Sequence, residues 1–514
     1  MLNSQKEPLF KLIKSLSKSE KRQFKLFVGR LEGNTNAKFL SLFSHLDKSE
    51  LYDEQIIIKK GIVSKQQLSN LKANLYKQIL KSLRLNPAHK NIRVLLREQL
   101  DYATILYNKG LYNQSLKVLE KAKTTALEYE EKNLAYEIVE LEKVIETQYI
   151  TRSIASRADE LAVQAKELSK LNVIASKLSN LSLQLYGLLL KVGYVKNEED
   201  YSEVTEYYQD RMPKYNFEEL SFREKLWLYK AKLWYSFLIQ DFLLCYKYAN
   251  KWVMLFSEYP KMIEVNPVFY LKGQHYLLES LFLIKHQTQF EETLDKLEEN
   301  LENGRIIKND NTETLGFVYL YTNKMNAYFL KGAFKEGLVL VDEVEALIEK
   351  YKNRLDQHHI MLFYYKIGCL FFGAGNNKSC IEYLGRIINN KELKGREDLM
   401  CFSRILNLVA HYEEGLDFNL EKQLKSTYRF LLKMNDLHQV QKEMLQFLRE
   451  VTDIYPHQIK KAFKNLHTKL KVYEDHPYER RAFLYLDILS WLESKIEGKP
   501  VDKIIQEKSK VLLR

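Results

Sequence analysis

Residues 368–379 read GCLFFGAGNNKS, and a glycine-rich stretch closed by a Lys-Ser pair is the kind of sequence that cradles phosphates with backbone N–H groups. That chemistry needs Gly directly before the Lys and another Gly five residues earlier, after a β-strand. Counting back from Lys378, those places hold Asn377 and Phe372, and the preceding YYKIGCLFF has helical spacing. The stretch reads as a turn between two helices.

The other chemistry-bearing residues do not converge either. His358 and His359 are adjacent, and neighbours on a helix diverge by ~100°, so they do not face one metal. His411 with Glu413 and Glu414 offers no two-histidine face, and no His-Glu-x-x-His pair or Gly-x-Ser-x-Gly elbow occurs. The four cysteines, Cys245, Cys369, Cys380 and Cys401, are too scattered for a disulfide framework, which points to a reducing compartment. No catalytic residue, metal site or cofactor is expected, and no small-molecule substrate.

The elements that carry these residues are helical. Of 514 residues 46% are hydrophobic and 28% charged, as in a folded protein, while only 8 prolines and 18 glycines leave little room for frequent tight turns. The most apolar helix candidate, MLFYYKIGCLFFGAG from Met361, falls short of the ~20 residues a bilayer span needs and contains Lys366. A cytoplasmic protein without membrane contact is the expectation. Net charge is +12, and residues 1–100 carry all of it: 20 Lys or Arg against 8 Asp or Glu, leaving 59 of each sign in the rest.

The chain is self-similar. YNKGLYNQSLKVLEKA from Tyr107, FLKGAFKEGLVLVDEV from Phe329 and FFGAGNNKSCIEYLGRI from Phe371 align on Gly110, Gly332 and Gly375. Two residues later come Tyr112, Phe334 and Asn377; five later the small Ser115, Gly337 and Cys380; nine later Leu119, Val341 and Leu384; twelve later Ala122, Val344 and Ile387. A glycine that ends one helix at positive φ, a plug beneath the turn, a small residue for close approach and a continuing apolar face explain this spacing. Looser copies carry Phe242, Cys245 and Trp252, then Phe290, Thr293 and Leu297; Phe418 begins another, and WLESKIEGKPVDKII forms a last one.

This pattern resembles the tetratricopeptide repeat, with turns near 240, 288, 332, 375 and 416 spaced wider than the usual 34 residues. The expected fold is all-α, a right-handed α-solenoid of antiparallel helix pairs over residues 90–514, behind a small basic helical module at 1–86. The resemblance implies a concave groove lined by first helices that grips a protein or peptide. In its register the lining residues are Tyr319, Asn323, Asn326, Tyr365, Lys366 and Asn407. Asn side chains hold a peptide backbone and Lys366 meets a carboxylate.

In the module, SKSE at 17–20 and SKQQ at 64–67 read as capping boxes. The first opens a helix with Phe24, Phe27, Val28 and Leu31 inward and Lys18, Lys21, Arg22 and Lys25 outward. DEQIIIKKGIVSKQQLSNLKANL resembles a helix-turn-helix, whose second helix turns Lys65, Lys72, Lys77, Lys81 and Arg84 outward. Two uses follow: DNA binding through phosphate contacts, or a bundle that caps the repeats with a solvated basic face. The expected function is a non-enzymatic peptide- or protein-binding scaffold; the alternative is a transcriptional regulator that binds DNA through the module and senses a partner with the repeats.

Overall fold

The computed structural model describes residues 7–29, 35–86, 91–148, 156–390, 397–415, 417–433, 439–451, 454–479, 483 and 487–512; Leu31 and Pro87 lie outside them. Among the described residues there is no strand, and helices adjacent in sequence pack on one another, as an all-α solenoid-like fold requires. The chain divides into two compact units, residues 1–158 and 159–514.

The first unit contains α1 (Pro8–Ser15), α2 (Lys18–Val28), α3 (Thr35–Lys48), α4 (Glu54–Lys59), α5 (Lys65–Leu85), α6 (Ile92–Asn108), α7 (Tyr112–Glu128) and α8 (Lys132–Glu146). Helices α1–α5 share one core around Ile13, Phe24, Phe43, Leu75 and Ile79, with the Phe24 and Phe43 rings 4.8 Å apart. The expected capping box at Ser17 forms: Ser17 Oγ accepts from Glu20 N at 3.2 Å, and Ser17 N donates to Glu20 Oε2 at 2.6 Å. At Ser64 the helix starts where expected, but the Ser64 side chain makes no capping bond. Gly61, at φ +67°, turns α4 into α5.

Further along the unit, α6 and α7 form a helical hairpin about Gly110, at φ +73°. Ser115 Oγ donates to Ala103 O at 2.8 Å, so the small residue does bring α7 against α6. Between α7 and α8, Lys123 Nζ meets Glu142 Oε2 at 2.6 Å, with the Glu142 side chain fully enclosed.

The second unit begins within α9 (Arg157–Val192) and continues through α10 (Glu198–Arg211), α11 (Phe222–Leu238), α12 (Phe242–Glu258), α13 (Met262–Val265), α14 (Pro267–Leu283), α15 (Gln287–Glu302) and α16 (Asp310–Lys331). It goes on with α17 (Phe334–Gly337), α18 (Leu340–Tyr351), α19 (Gln357–Gly373), α20 (Asn377–Ile388), α21 (Glu397–Glu413) and α22 (Asp417–Lys433). Helices α23 (Gln439–Glu450), α24 (Pro456–Lys471), α25 (Ile488–Glu497) and α26 (Val501–Leu512) complete it.

One turn recurs through this unit. Gln240, Lys285, Gly332, Gly375 and Gly415 all take positive φ, at 45-, 47-, 43- and 40-residue intervals. The same pair of backbone bonds closes four of these turns, for instance Lys285 N to Phe282 O at 3.1 Å with His286 N to Leu281 O at 3.0 Å, and Gly375 N to Phe372 O at 3.0 Å with Asn376 N to Phe371 O at 2.8 Å. These bonds satisfy carbonyls that the helix end would otherwise leave unpaired. GCLFFGAGNNKS is therefore the turn from α19 to α20, where Asn376 caps α20 by accepting from Ser379 N at 3.1 Å.

The expected core positions are buried: Leu119, Val341 and Leu384 in one register place, Ala122, Val344 and Ile387 in the next. A Cβ on Gly337 would come 2.7 Å from Leu370 Cδ2, so this small residue sets the approach of the two helices. One register expectation changes. The turn expected near 288 sits at Lys285, so Phe290 stands five residues after it rather than two. A shift of three residues keeps the same helix face, and Phe290 and Leu297 stay fully buried.

The end of the chain returns to the earlier helices of its own unit. WLESKIEGKPVDKII is the hairpin of α25 and α26 about Gly498, at φ +70°. Helix α26 packs on α16, and Gln506 Nε2 donates to Gly332 O at 3.1 Å. Ser509 Oγ donates to Gln287 Oε1 at 2.8 Å, and Tyr478 OH to Glu198 Oε2 at 2.6 Å. Helix α9 exceeds any apolar segment expected from the sequence: Arg157–Lys191 is long and apolar enough, by length and composition, to cross a membrane, and 33% of its apolar window is buried in the protein.

Candidate functional site

In the second unit the first helices of successive pairs touch one another: α14 packs on α16, α16 on α19 and α19 on α21. The second helices, α12, α15, α18, α20 and α22, meet the first helix of the next pair more than each other. A stack whose first helices approach more closely than its second helices curves with the first helices inside. Residues of α14, α16, α19 and α21 thus supply the inner face, and α11 meets α14 through the rings of Trp227 and Phe269, 5.6 Å apart.

Four of the six groove residues expected from the sequence meet there. Tyr319, Asn323 and Asn326 stand on one side of α16 at helical spacing. Asn323 Nδ2 donates to Tyr319 O at 2.7 Å, and Asn326 Nδ2 to Asn323 Oδ1 at 3.3 Å. From α19, Lys366 Nζ donates to Asn326 Oδ1 at 2.6 Å. From α14, the His275 ring stacks on Tyr319 with centroids 4.4 Å apart, and its Nδ1 lies 3.2 Å from Asn323 Nδ2. A polar chain thus links three successive first helices.

Tyr319, Asn323 and Asn326 are buried, and the two amides are engaged with this chain, while His275 and Lys366 keep partial exposure. The remaining two lie apart: Tyr365 is buried within α19, and Asn407 Nδ2 donates to Gln423 Oε1 at 3.3 Å on α22.

Amines and a carboxylate share this face: Glu279 Oε2 lies 3.7 Å from His275 Nε2. Burial, and then the nearby His359, Lys366 and Lys272, push His275 down to about 3, so the imidazole is neutral. Burial lowers Lys366 to about 8, against the opposing pull of Cys369 and Glu279. The Lys366 amine also lies 5.5 Å from the Phe329 ring centroid and 5.9 Å from that of Phe282.

Sequence reasoning missed a second group on these helices. Lys230 of α11, 9% exposed, holds its amine 4.0 Å from the Trp227 ring centroid, 4.5 Å from Phe269 and 5.5 Å from Trp252. Burial, and then Lys272, lower Lys230 to about 7, and burial alone lowers Lys272. The signal was present: Lys272, His275 and Glu279 interrupt one side of an otherwise apolar α14 at three- and four-residue spacing.

Cys369 and Cys380 fill repeat positions, and burial raises both thiols, Cys369 to about 12, which leaves them protonated. Among the described residues no group of three His, Cys, Asp or Glu could hold a metal ion.

In the first unit, Lys72 Nζ contacts Glu54 Oε1 at 2.6 Å, Tyr52 OH at 2.9 Å and Glu7 Oε2 at 3.4 Å, and Arg84 pairs with Asp101 at 2.9 Å. Lys65, Lys77 and Lys81 point to solvent along α5. Around α2, Lys18, Lys21, Arg22, Lys25 and Leu26 line a shallow open depression, with Lys21 held by Asp47 at 2.7 Å.

No protein-family model matches this sequence, and no curated protein matches it.

Proposed function

We propose that the chain is a non-enzymatic scaffold that binds a protein or peptide along the inner face of its second unit, in the manner of tetratricopeptide-like arrays. The observation that carries this reading is the repeated helix pair whose first helices pack together. Their shared side carries amide, imidazole and amine groups among aromatic rings. Such a surface presents a peptide with the part-exposed amine of Lys366 and imidazole of His275, held in place by the buried amides behind them. Four free cysteines, three of them buried, fit a reducing compartment such as the cytoplasm.

The test is selection from a displayed random-peptide library against the full chain, followed by affinity measurement on inner-face and outer-face variants. Lys366→Met should weaken the selected peptides by about tenfold, the worth of one charge-assisted contact. Lys296→Gln, at an exposed position of α15, should not. Equal affinity for both variants would end the inner-face reading.

A second reading is favoured by the basic depression on α2 and the free lysines of α5. In it the first unit contacts DNA phosphates while the repeats sense a partner. Duplex DNA binding that falls steeply with salt, and vanishes when Lys18, Arg22 and Lys25 become Glu, would support it.

A further inference from the structure

We infer that the inner face of the second unit takes a carboxylate of an acidic peptide between Lys230 of α11 and Lys272 of α14, inside a box walled by Trp227 and Phe269. This rests on the peptide-binding reading and names the chemistry of the peptide.

The two lysines come from neighbouring first helices: the Lys230 amine lies 4.5 Å from the ring of Phe269, one helical turn before Lys272, and Lys272 disfavours the charge on Lys230. Neither has a carboxylate or a hydrogen-bond acceptor among the described residues. A buried ammonium without an anion is one of the costliest groups a fold can carry. Rings at 4.0 and 4.5 Å return part of that cost, since their π-faces attract a cation, but they cannot neutralise it. A core that only needed apolar filling would gain stability from Met or Leu here.

A lysine kept in this place at a cost in stability is the mark of a site built for something outside the chain. An incoming carboxylate satisfies both amines at once and relieves their repulsion. Trp227 and Phe269 are each part-exposed, so they can cover the aliphatic stem of a Glu or Asp and its neighbour. A cationic peptide would add a third positive charge and be rejected. Lys366, further along the same face on α19, adds a second amine to the lining, beside the neutral imidazole of His275 on α14.

The experiment is fluorescence anisotropy of the full chain with fluorescein-labelled octaglutamate, octaglutamine and octalysine at physiological salt, with inorganic phosphate as a separate probe. Octaglutamate is expected to bind and the other two peptides not. Lys230→Met should weaken octaglutamate by about tenfold or more with unchanged circular dichroism. Lys272→Gln should weaken it too, which keeps the test decisive if the first variant folds poorly. Binding to octaglutamate should also quench tryptophan fluorescence, a change that general attraction to the basic first unit would not produce.

Octaglutamate binding that both variants leave unchanged would overturn the inference, as would no binding at all. If library-selected peptides then bind the inner face without an acidic residue, the scaffold reading survives while this one falls. If phosphate occupies the Lys230 site and no peptide does, both fall.

Discussion

Lys230 places its amine 4.0 Å from the ring centroid of Trp227, and among the described residues no carboxylate pairs with it, so a largely buried amine is bordered by aromatic faces. Without a ligand this arrangement must cost stability. Burial lowers the folded-state value from 10.5 to about 7, so between those limits the unfolded chain holds more protons and stability rises with pH. The penalty is therefore complete below about pH 7 and fades towards pH 10.5. Lys230→Met is expected to raise the stability of the free protein by about 1–4 kcal/mol at pH 6. Urea titrations of both proteins at pH 6 and pH 9 should show the gap narrowing at the higher pH; a gap independent of pH would contradict this account.

The turn residue Lys285, at φ +56°, occupies a conformation that costs a side-chain-bearing residue about 1–2 kcal/mol. It is exposed, and among the described residues its side chain has no bonding partner. Lys285→Gly should stabilise the protein by about 0.5–1 kcal/mol after the added freedom of the unfolded chain is counted. Gln240, at φ +60°, differs because its Nε2 donates to Val195 O at 3.0 Å inside the protein. Gln240→Gly should give no such gain. Paired thermal melts would decide, and equal shifts for both variants would rule out this explanation.

These turns also show what the sequence could and could not reveal. Gly110, Gly332 and Gly375 announced their positive φ by residue type, and the small and apolar residues after each fell into register. Gln240 and Lys285 hold the same conformation without the glycine that advertises it. Phe290 therefore passed for the aromatic under the turn when it lies three residues deeper in α15. The helix face was right because a three-residue shift preserves it.

The same division holds for the inner face. Repeat register put Asn326 and Lys366 on first helices, but not the bond between them. The box around Lys230 draws Trp227 and Lys230 from one pair and Phe269 and Lys272 from the next. No local pattern couples residues so far apart; only the packing of α12 on α14, which brings α11 within reach, does so.

Close packing at the repeats can be tested at Gly373, the last residue of α19. A Cβ there would lie 2.2 Å from the Phe334 ring, which is itself buried. Gly373→Ala should destabilise the protein by about 1–3 kcal/mol because the ring must leave its place. Stability at or above that of the parent would show that the two pairs are more loosely packed than described.

In the first unit, Glu142 is fully enclosed and bonded to Lys123 at 2.6 Å, with Arg157 at 3.4 Å on its other oxygen. Lys123→Ala leaves that carboxylate short of a partner and should cost about 3–5 kcal/mol. The double variant Lys123→Met with Glu142→Leu should recover most of the loss. Chemical denaturation of the single and double variants measures both, and a single variant as stable as the parent would contradict the assignment.

The central claim is that the first helices of the second unit bind peptide. A library-selected peptide carrying a photo-activated benzophenone, cross-linked to the full chain and mapped by mass spectrometry, tests it most directly. The account predicts attachment within residues 222–238, 267–283, 310–331, 357–373 and 397–413, competed away by unlabelled peptide. Attachment confined to the second helices, or to residues 1–86, would contradict it.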